Sequence, residues 1–178
     1  LATRLAYFLT QAPPDERLMA LASNGQLANP AILRQEAKRL LPDQPDSAMI
    51  QSFTGQWLDT NLLREIMPDA VFKFSDAEIT LAKKEAEWFF TEILNHNLPM
   101  TDFIDPDFAL TSRTFAKDNY QYDEVSPESE SVYYDEKLKI ERLPLTRGGR
   151  FGGLLGQSAV MMATANGVDT QPVLRGVW

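Results

Sequence analysis

Apolar side chains recur at helical spacing over most of the chain. Leu5, Phe8 and Leu9 share one face of a first helix, which Pro13 and Pro14 end. Further amphipathic helices are predicted over residues 15–24, 30–41, 47–63, 75–97 and 111–119, with a short helical turn within residues 98–108. This pattern predicts a mainly α fold, a compact multi-helix domain with short loops.

The segment 47–63 carries a glycine inside its apolar pattern. Ile50, Phe53, Trp57 and Leu58 fall on one helical face, and Gly55 lies among them. A glycine inside a helix costs about 1 kcal/mol relative to alanine. We therefore expect another element to pack closely against Gly55.

The predicted helix 75–97 has the clearest signals. Ser75 and Glu78 are spaced as a capping box. The buried stripe is predicted to comprise Ile79, Ala82, Ala86, Phe89, Phe90, Ile93 and Leu94. Three acids, Glu85, Glu87 and Glu92, are assigned to its solvated side. Trp57, Trp88, Phe89 and Phe90 are assigned to the core rather than to a cofactor site.

The pattern changes after residue 117. Residues 117–141 contain eight acidic side chains and three lysines, and their 126–131 core is predicted to be a mobile surface loop. The sequence "LKIERLPL", residues 138–145, alternates as a short strand does and suits pairing with residues 132–134. We expect a small two-stranded β element here. Residues 1–120 are predicted to form a helical domain, on which residues 121–178 pack through the acidic loop, short strands, glycine-rich strap and C-terminal helix.

The segment 145–167 holds six of the nine glycines and runs into a predicted helix. We call its first part, residues 145–157, the strap. A glycine-rich loop before a helix is typical of a phosphate site, although neither a P-loop nor a Gly-x-Gly-x-x-Gly motif is present. The residues that remain for binding an anion are Arg147, Gly148, Gly149, Arg150, Gly152 and Gly153. The alternative is that the glycines permit close packing while the arginines pair with nearby acids.

Three aspartates, Asp102, Asp105 and Asp107, form the closest group of carboxylates outside the acidic segment. Such a group is a candidate for calcium binding or for acid–base chemistry. The sequence lacks the further oxygen ligands and the turn glycine of a calcium loop. The alternative is that these aspartates cap turns around the intervening proline. His96, the single histidine, is interpreted as capping the C-terminus of the predicted helix 75–97.

Composition narrows the possible functions. The 178 residues carry a formal net charge of −8, which disfavours binding to nucleic acid or to anionic membrane surfaces. No apolar run approaches the roughly 20 residues of a transmembrane helix. The absence of cysteine excludes disulfides, zinc–thiolate sites and covalent haem attachment through a Cys-x-x-Cys-His motif. We expect neither a metal nor a cofactor in this chain.

Several separate stretches resemble two adjoining domains of unknown function found in large planctomycete-type proteins. They are "RLAYFL" (4–9), "PPDERLMALASNGQL" (13–27), "FTGQWLDTNLL" (53–63), "EAEWFFTEIL" (85–94) and "GGLLGQSAVMMATANGVDTQPVLRGVW" (152–178). Such proteins commonly also carry c-type cytochrome domains. The chain departs from the family pattern at Gln171, where serine is usual, and in its longer, more acidic 117–141 segment.

The resemblance implies a fragment of a longer secreted or periplasmic protein, with any haem in a neighbouring domain and with the other domains as its partners. It supplies no catalytic residues. Our first hypothesis is a non-catalytic structural or interaction module. The second is part of an enzyme or binding protein acting on a sulfated or acidic polysaccharide, in which Arg147 and Arg150 bind the anion and an aspartate within 102–107 serves as acid or base.

Overall fold

A computed structural model describes residues 1–42, 44–63, 65, 75–122, 133–149, 151–165, 169 and 171–177. The helices are α1 (Ala2–Thr10), α2 (Glu16–Ser23), α3 (Pro30–Leu40), α4 (Ala48–Trp57), α5 (Asp76–His96), α6 (Arg113–Tyr120), α7 (Ser158–Ala163) and α8 (Pro172–Val177). The strands are β1 (Phe108–Thr111), β2 (Tyr133–Asp135) and β3 (Ile140–Pro144). The predicted fold class, mainly α with a small β element, is confirmed. No helix in these ranges is long and apolar enough to span a bilayer.

The chain divides into two compact units, residues 1–53 and residues 54–178. The sequence predicts a domain boundary at a different place, near residue 120, and that boundary stays a prediction. The proposed mobile core of the acidic segment, residues 126–131, lies outside the described residues.

The first unit is a small helical cluster whose caps follow the sequence. The side chain of Asp15 accepts a 2.8 Å hydrogen bond from the amide of Leu18 at the start of α2, and Leu18 is fully buried. The side chain of Asn29 caps α3 in the same way, ahead of Pro30. Phe8, predicted to face inward, is 70% exposed, because Ala2, Ala6 and Leu9 form the buried side of α1.

A buried carboxylate joins α2 and α3 within this unit. Glu36 has no exposed surface and accepts hydrogen bonds from Arg17 Nε at 2.9 Å and Arg39 Nε at 2.8 Å. Arg39 also contacts Asp15 Oδ2 at 2.8 Å. Burial alone would raise the pKa of Glu36, but the two guanidinium groups outweigh it and lower that pKa below its usual value.

The second unit is built around α5, which packs against β1 and α7. Its capping box is present as predicted, with the Ser75 hydroxyl accepting from the Glu78 amide and the Glu78 carboxylate accepting from the Ser75 amide. Ala82, Ala86 and Phe89 are buried along the predicted stripe. The remaining members of this core are Leu58, Leu63, Leu81, Trp88, Ile93, Phe108, Leu110, Phe115, Ile140, Leu154, Ala159 and Val160.

The sheet has three antiparallel strands in the order β1-β3-β2, so the predicted pairing of β2 with β3 is confirmed. The sequence missed β1, which pairs with β3 from Phe108 opposite Pro144 to Thr111 opposite Glu141. All four residues of β1 are buried, so the strand lacks the alternation that would reveal it.

Helix α4 is shorter than predicted. It ends at Trp57, and Asp59 adopts a left-handed conformation before a short 3₁₀ turn, Thr60–Leu62. This turn brings Asn61 back over Gly55, where an added Cβ would lie 2.3 Å from Asn61 Oδ1. The expected close approach at Gly55 is therefore confirmed, although Trp57 is 43% exposed rather than part of the core.

The three glutamates assigned to the solvated side of α5 are all buried, so that prediction is wrong. Glu85, Glu87 and Glu92 retain 2%, 1% and 7% of their exposure. Each has a polar partner that replaces water, as buried carboxyl groups require. These contacts are Tyr120 Oη to Glu85 at 2.8 Å, Lys84 Nζ to Glu87 at 2.7 Å and Tyr134 Oη to Glu92 at 3.2 Å.

Candidate functional site

Sheet pairing places the strap beside the three candidate aspartates. Asp102 lies in a 3₁₀ turn, Met100–Phe103, and Asp105 and Asp107 lie between that turn and β1. Because β3 runs antiparallel to β1, the residues that follow β3 meet the residues that precede β1. The amide of Leu145 donates to the carbonyl of Asp107 at 2.8 Å, which extends this pairing into the strap.

Arg147 is the centre of this contact. Its guanidinium contacts Asp102 Oδ1 at 2.9 Å and Asp107 Oδ2 at 3.6 Å, and it donates to the carbonyl oxygen of Asp105. The amide of Gly148 donates to Asp105 Oδ1 at 2.7 Å. Hydrogen bonding to Asp102 raises the pKa of Arg147, so its positive charge is firmly held. The structure therefore joins Arg147 and the three predicted aspartates in one cluster of opposite charges.

The paired glycines of the strap allow a close backbone approach. Gly153 has φ +73°, and a Cβ there would lie 2.2 Å from the carbonyl oxygen of Ile104. At Gly152, with φ +130°, a Cβ would lie 3.0 Å from Leu145 Cδ1. Gly149 closes a turn on the carbonyl of Thr146. This packing agrees with the alternative interpretation, in which the glycines permit a close approach of the backbone.

The remaining predicted candidates are Arg150, the metal-ligand types and His96. Arg150 lies outside the described residues. Within the described ranges, no three His, Cys, Asp or Glu side chains are arranged to hold a metal ion. His96 lies at the end of α5, with Nδ1 3.2 Å from the carbonyl oxygen of Glu92. The anion-binding and calcium or acid–base interpretations stay predictions.

A second polar site, which the sequence did not suggest, lies where α5, β1, α6 and the strap meet. The Tyr120 hydroxyl donates to Glu85 Oε2 at 2.8 Å and accepts from the amide of Ser158, the first residue of α7, at 2.8 Å. The ring of Phe151 lies against Tyr120 with ring centres 4.3 Å apart. Three side chains therefore link α5, α6, the start of α7 and the strap.

Burial changes the acid–base properties of this pair. It raises the pKa of Glu85 to about 8, although hydrogen bonding with Thr111 and Tyr120 acts in the opposite direction. Burial, with the nearby charge of Glu85, also raises the pKa of Tyr120 well above its usual value. Near neutral pH, Glu85 is therefore mostly a neutral carboxylic acid that can donate a hydrogen bond.

A small cavity adjoins the pair. Its volume is about 20 Å³, enough for a single water molecule. Glu85, Thr111, Tyr120 and Gln157 supply its polar groups. The apolar lining comes from Phe89, Phe108, Ala109, Leu110, Phe151, Gly152 and Gly153. Glu85 Oε1 and Gln157 Oε1 are buried, and neither has a hydrogen-bond partner among the described residues.

Helical spacing contains a signal for the buried acids. Glu85 and Glu92 follow Ala82 and Phe89 by three positions, and residues three apart lie on the same helical face. The charge of the two glutamates favoured an exposed position, whereas their spacing from Ala82 and Phe89 favoured a buried one. Tyr120 and Gln157 carried no comparable signal, because their partners are distant in sequence.

Comparison with known proteins gives a family but no activity. No curated protein and no solved structure matches the chain. A family model described as "PSD4: Protein of unknown function" (DUF1592) matches residues 1–121, about two thirds of the 178 residues. The chain belongs to this PSD4 family of proteins of unknown function.

Proposed function

We propose that the chain is a non-catalytic structural module that positions neighbouring domains of a longer, secreted or periplasmic protein, and that any haem of that protein lies in another domain. The observation that supports this role is the pairing of Arg147. Two carboxylates and one backbone carbonyl already occupy its guanidinium group. Because its charge is already paired within the protein, the Arg147 guanidinium attaches the strap to the segment before β1.

The size of the cavity beside Glu85 agrees with a structural role. A pocket for a small organic substrate usually encloses about 300–1,000 Å³. The cavity here holds about 20 Å³, so its walls leave no room for a sugar ring. An enzyme acting on an acidic polysaccharide would need a different surface, with a cation that is free to meet the substrate.

A thermal-shift experiment on the 178-residue chain tests this role. Arg147→Ala should lower the melting temperature by several degrees, because it leaves the buried Asp102 carboxylate without its partner; 1 kcal/mol corresponds to roughly 2–4 °C at this size. Arg34→Ala removes the same charge from an exposed position of α3 and should have little effect.

Sulfate, phosphate and an acidic oligosaccharide are then added to all three proteins. Sulfate stabilises folded proteins in general, so only a shift that differs between variants is informative. We expect equal shifts in all three. A stabilisation by any of these anions that Arg147→Ala loses and Arg34→Ala keeps would contradict the proposal and would favour the anion-binding alternative.

A further inference from the structure

An exposed apolar surface lies on the second unit, where the end of α4, the middle of α5 and the turn Met100–Phe103 meet. The rings of Trp57, Phe90 and Phe103 contact one another, with ring centres 5.7–6.4 Å apart. Met100 and Ile104 lie on either side of Phe103 along the chain and are 75% and 81% exposed. We call these five side chains the aromatic surface.

The composition of the aromatic surface is that of a protein-binding site. Soluble proteins rarely leave several large apolar side chains together in water unless they bind something. Aromatic residues and methionine are enriched in protein–protein interfaces, and an unbranched methionine adapts its shape to a partner. The sequence hid this surface, because its members lie in three separate segments.

The aromatic surface is held from behind by contacts already in place. Asp102, in the middle of the turn, contacts Arg147 at 2.9 Å, and Phe103 packs on the buried ring of Phe89 with ring centres 6.0 Å apart. The close approach of Gly153 to the carbonyl oxygen of Ile104 fixes the end of the turn. A surface that is ordered before binding loses less conformational entropy when a partner arrives.

Acidic side chains border the aromatic surface. Asp59 lies two positions after its tryptophan and Asp105 directly after its isoleucine, and both are exposed. The carboxylate of Asp105 accepts from the amide of Gly148, an uncharged donor, so it keeps its charge. Arg147, the cation that contacts this turn, is already paired with two aspartates. The border therefore favours a cationic partner.

The charge of the whole second unit acts in the same direction. Residues 54–178 contain twenty acidic and twelve basic side chains, a formal net charge of −8, whereas residues 1–53 contain five of each. Such a field attracts a basic segment over a distance and opposes a second copy that presents the same acidic border.

We propose that the aromatic surface is the docking site for a basic amphipathic helix of a neighbouring domain. Such a helix presents apolar side chains at i, i+3, i+4 and i+7 to the rings, while lysine or arginine on its flanks meets Asp59 and Asp105. This inference rests on the proposed structural role, because it names the partner and the surface by which the module holds its neighbour.

An NMR titration of the 178-residue chain at pH 7 tests the docking site. The probe is a synthetic helical peptide of about 18 residues, with leucines along one face and lysines on the other. The methyl groups of Met100 and Ile104 report the aromatic surface, and Met19, an exposed methionine of α2, is the reference. We expect both surface signals to shift and saturate as the peptide is added, while the Met19 signal stays in place.

Two control peptides separate the contributions of charge and of the apolar face. The first has glutamate in place of every lysine and should not bind, because the acidic border repels it. The second keeps the composition but distributes the leucines around the helix, and it should bind at least about tenfold more weakly. A peptide that binds through charge alone would not distinguish the second control from the probe.

A matched pair of variants locates the contact. Ile104→Ser removes an exposed apolar side chain without changing charge, and it should weaken binding of the leucine–lysine peptide about tenfold. Val173→Ser makes a comparable change at a nearly equally exposed position of α8 and should leave the affinity unchanged. Neither side chain is buried, so both variants should fold.

The inference is overturned if the Met100 and Ile104 signals stay constant, if either control peptide binds as well as the probe, or if Ile104→Ser binds as the unmodified chain does. Shifts of these signals with protein concentration alone would also overturn it, because they would show a second copy on the surface. These outcomes leave the structural role intact. That role is contradicted instead by an anion stabilisation that Arg147→Ala loses, and Arg147 lies outside the aromatic surface.

Discussion

The hydroxyl of Tyr120 lies 2.8 Å from Glu85 Oε2 and 2.8 Å from the amide nitrogen of Ser158, so one oxygen atom serves α5, α6 and the start of α7. It donates to the carboxyl group and accepts from the amide. Both of its hydrogen-bonding roles are therefore used, in a place from which water is largely excluded. The side chain works as a tie between segments that are far apart in sequence.

Tyr120→Phe should destabilise the second unit by about 1–3 kcal/mol, because it leaves a buried carboxyl oxygen and a buried amide unpaired. The ring, its contact with Phe151 at 4.3 Å and its contact with Phe115 at 5.6 Å are retained. Urea denaturation followed by circular dichroism measures the change.

Tyr7→Phe provides the matched control, since Tyr7 is 51% exposed on α1. It should alter the free energy of unfolding by no more than about 0.5 kcal/mol. Equal effects of the two substitutions would show that the Tyr120 hydroxyl is not an important tie.

Gly153→Ala should destabilise the chain by about 1–3 kcal/mol, the usual cost of forcing atoms into a filled space. The new Cβ would lie 2.2 Å from the backbone oxygen of Ile104, and the φ angle of +73° is unfavourable for alanine. Backbone cannot move aside as a side chain can. Thermal unfolding measures the loss.

The same change at Gly156 is the internal comparison. A Cβ there meets nothing within 4 Å, and its φ angle is not in the left-handed region. Gly156→Ala should be neutral or slightly stabilising, because alanine restricts the unfolded chain. If Gly153→Ala is equally harmless, the strap does not approach Ile104 as closely as described.

Local signals of the sequence predicted much of the fold. The Ser75–Glu78 capping box and the end of α1 ahead of Pro13 and Pro14 depend on residues close together in sequence, and both are present. The strand β1 and the end of α4 depend on distant or turn-specific contacts. Residues 108–111 become a strand because β3 pairs with them, which no local pattern records.

The candidate site was predictable only in part. The arginine and aspartate groups were visible as separate charges, but their meeting depends on the antiparallel pairing of β1 with β3. Glu85 was placed on the wrong side of α5 because a charged side chain is usually exposed. Its burial depends on Tyr120, 35 positions away, which supplies the hydrogen bond that makes it tolerable.

The pH dependence of stability gives a further test of Glu85. Its pKa is about 8 in the folded chain and near 4.5 in the unfolded chain, so the folded state binds the proton more tightly. The stability associated with Glu85 is fully present below pH 4.5 and is lost progressively as the pH rises to about 8. Glu85→Gln should therefore gain stability relative to the unmodified chain across this window.

Urea denaturation at several pH values from 4.5 to 9 measures that difference. It should grow with pH and level off above pH 8. Glu136→Gln, which changes an exposed carboxylate, should give a difference that stays small at every pH. A constant offset for Glu85→Gln would mean that Glu85 has the same pKa in both states.

Glu36 in the first unit should show the opposite pH dependence. Arg39 and Arg17 outweigh the effect of burial and lower its pKa, so the folded state favours the ionised form. Its stabilising contribution is present above pH 4.5, the value for the unfolded chain, and is lost as the pH falls through the lower pKa of the folded state.

Glu36→Gln should cost about 2 kcal/mol at pH 7, because it removes the buried negative charge between two guanidinium groups and turns an amide N–H, which cannot accept a hydrogen bond, toward one of them. The cost should shrink in acid, where the glutamate of the unmodified chain is itself protonated.

The measurement is made on the 178-residue chain, because removing residues 54–178 could itself change the stability of the first unit. The amide signals of Leu18 and Leu27 report the unfolding of this unit. A cost that stays the same from pH 7 to pH 3 would show that the two arginines do not hold Glu36 in its ionised form.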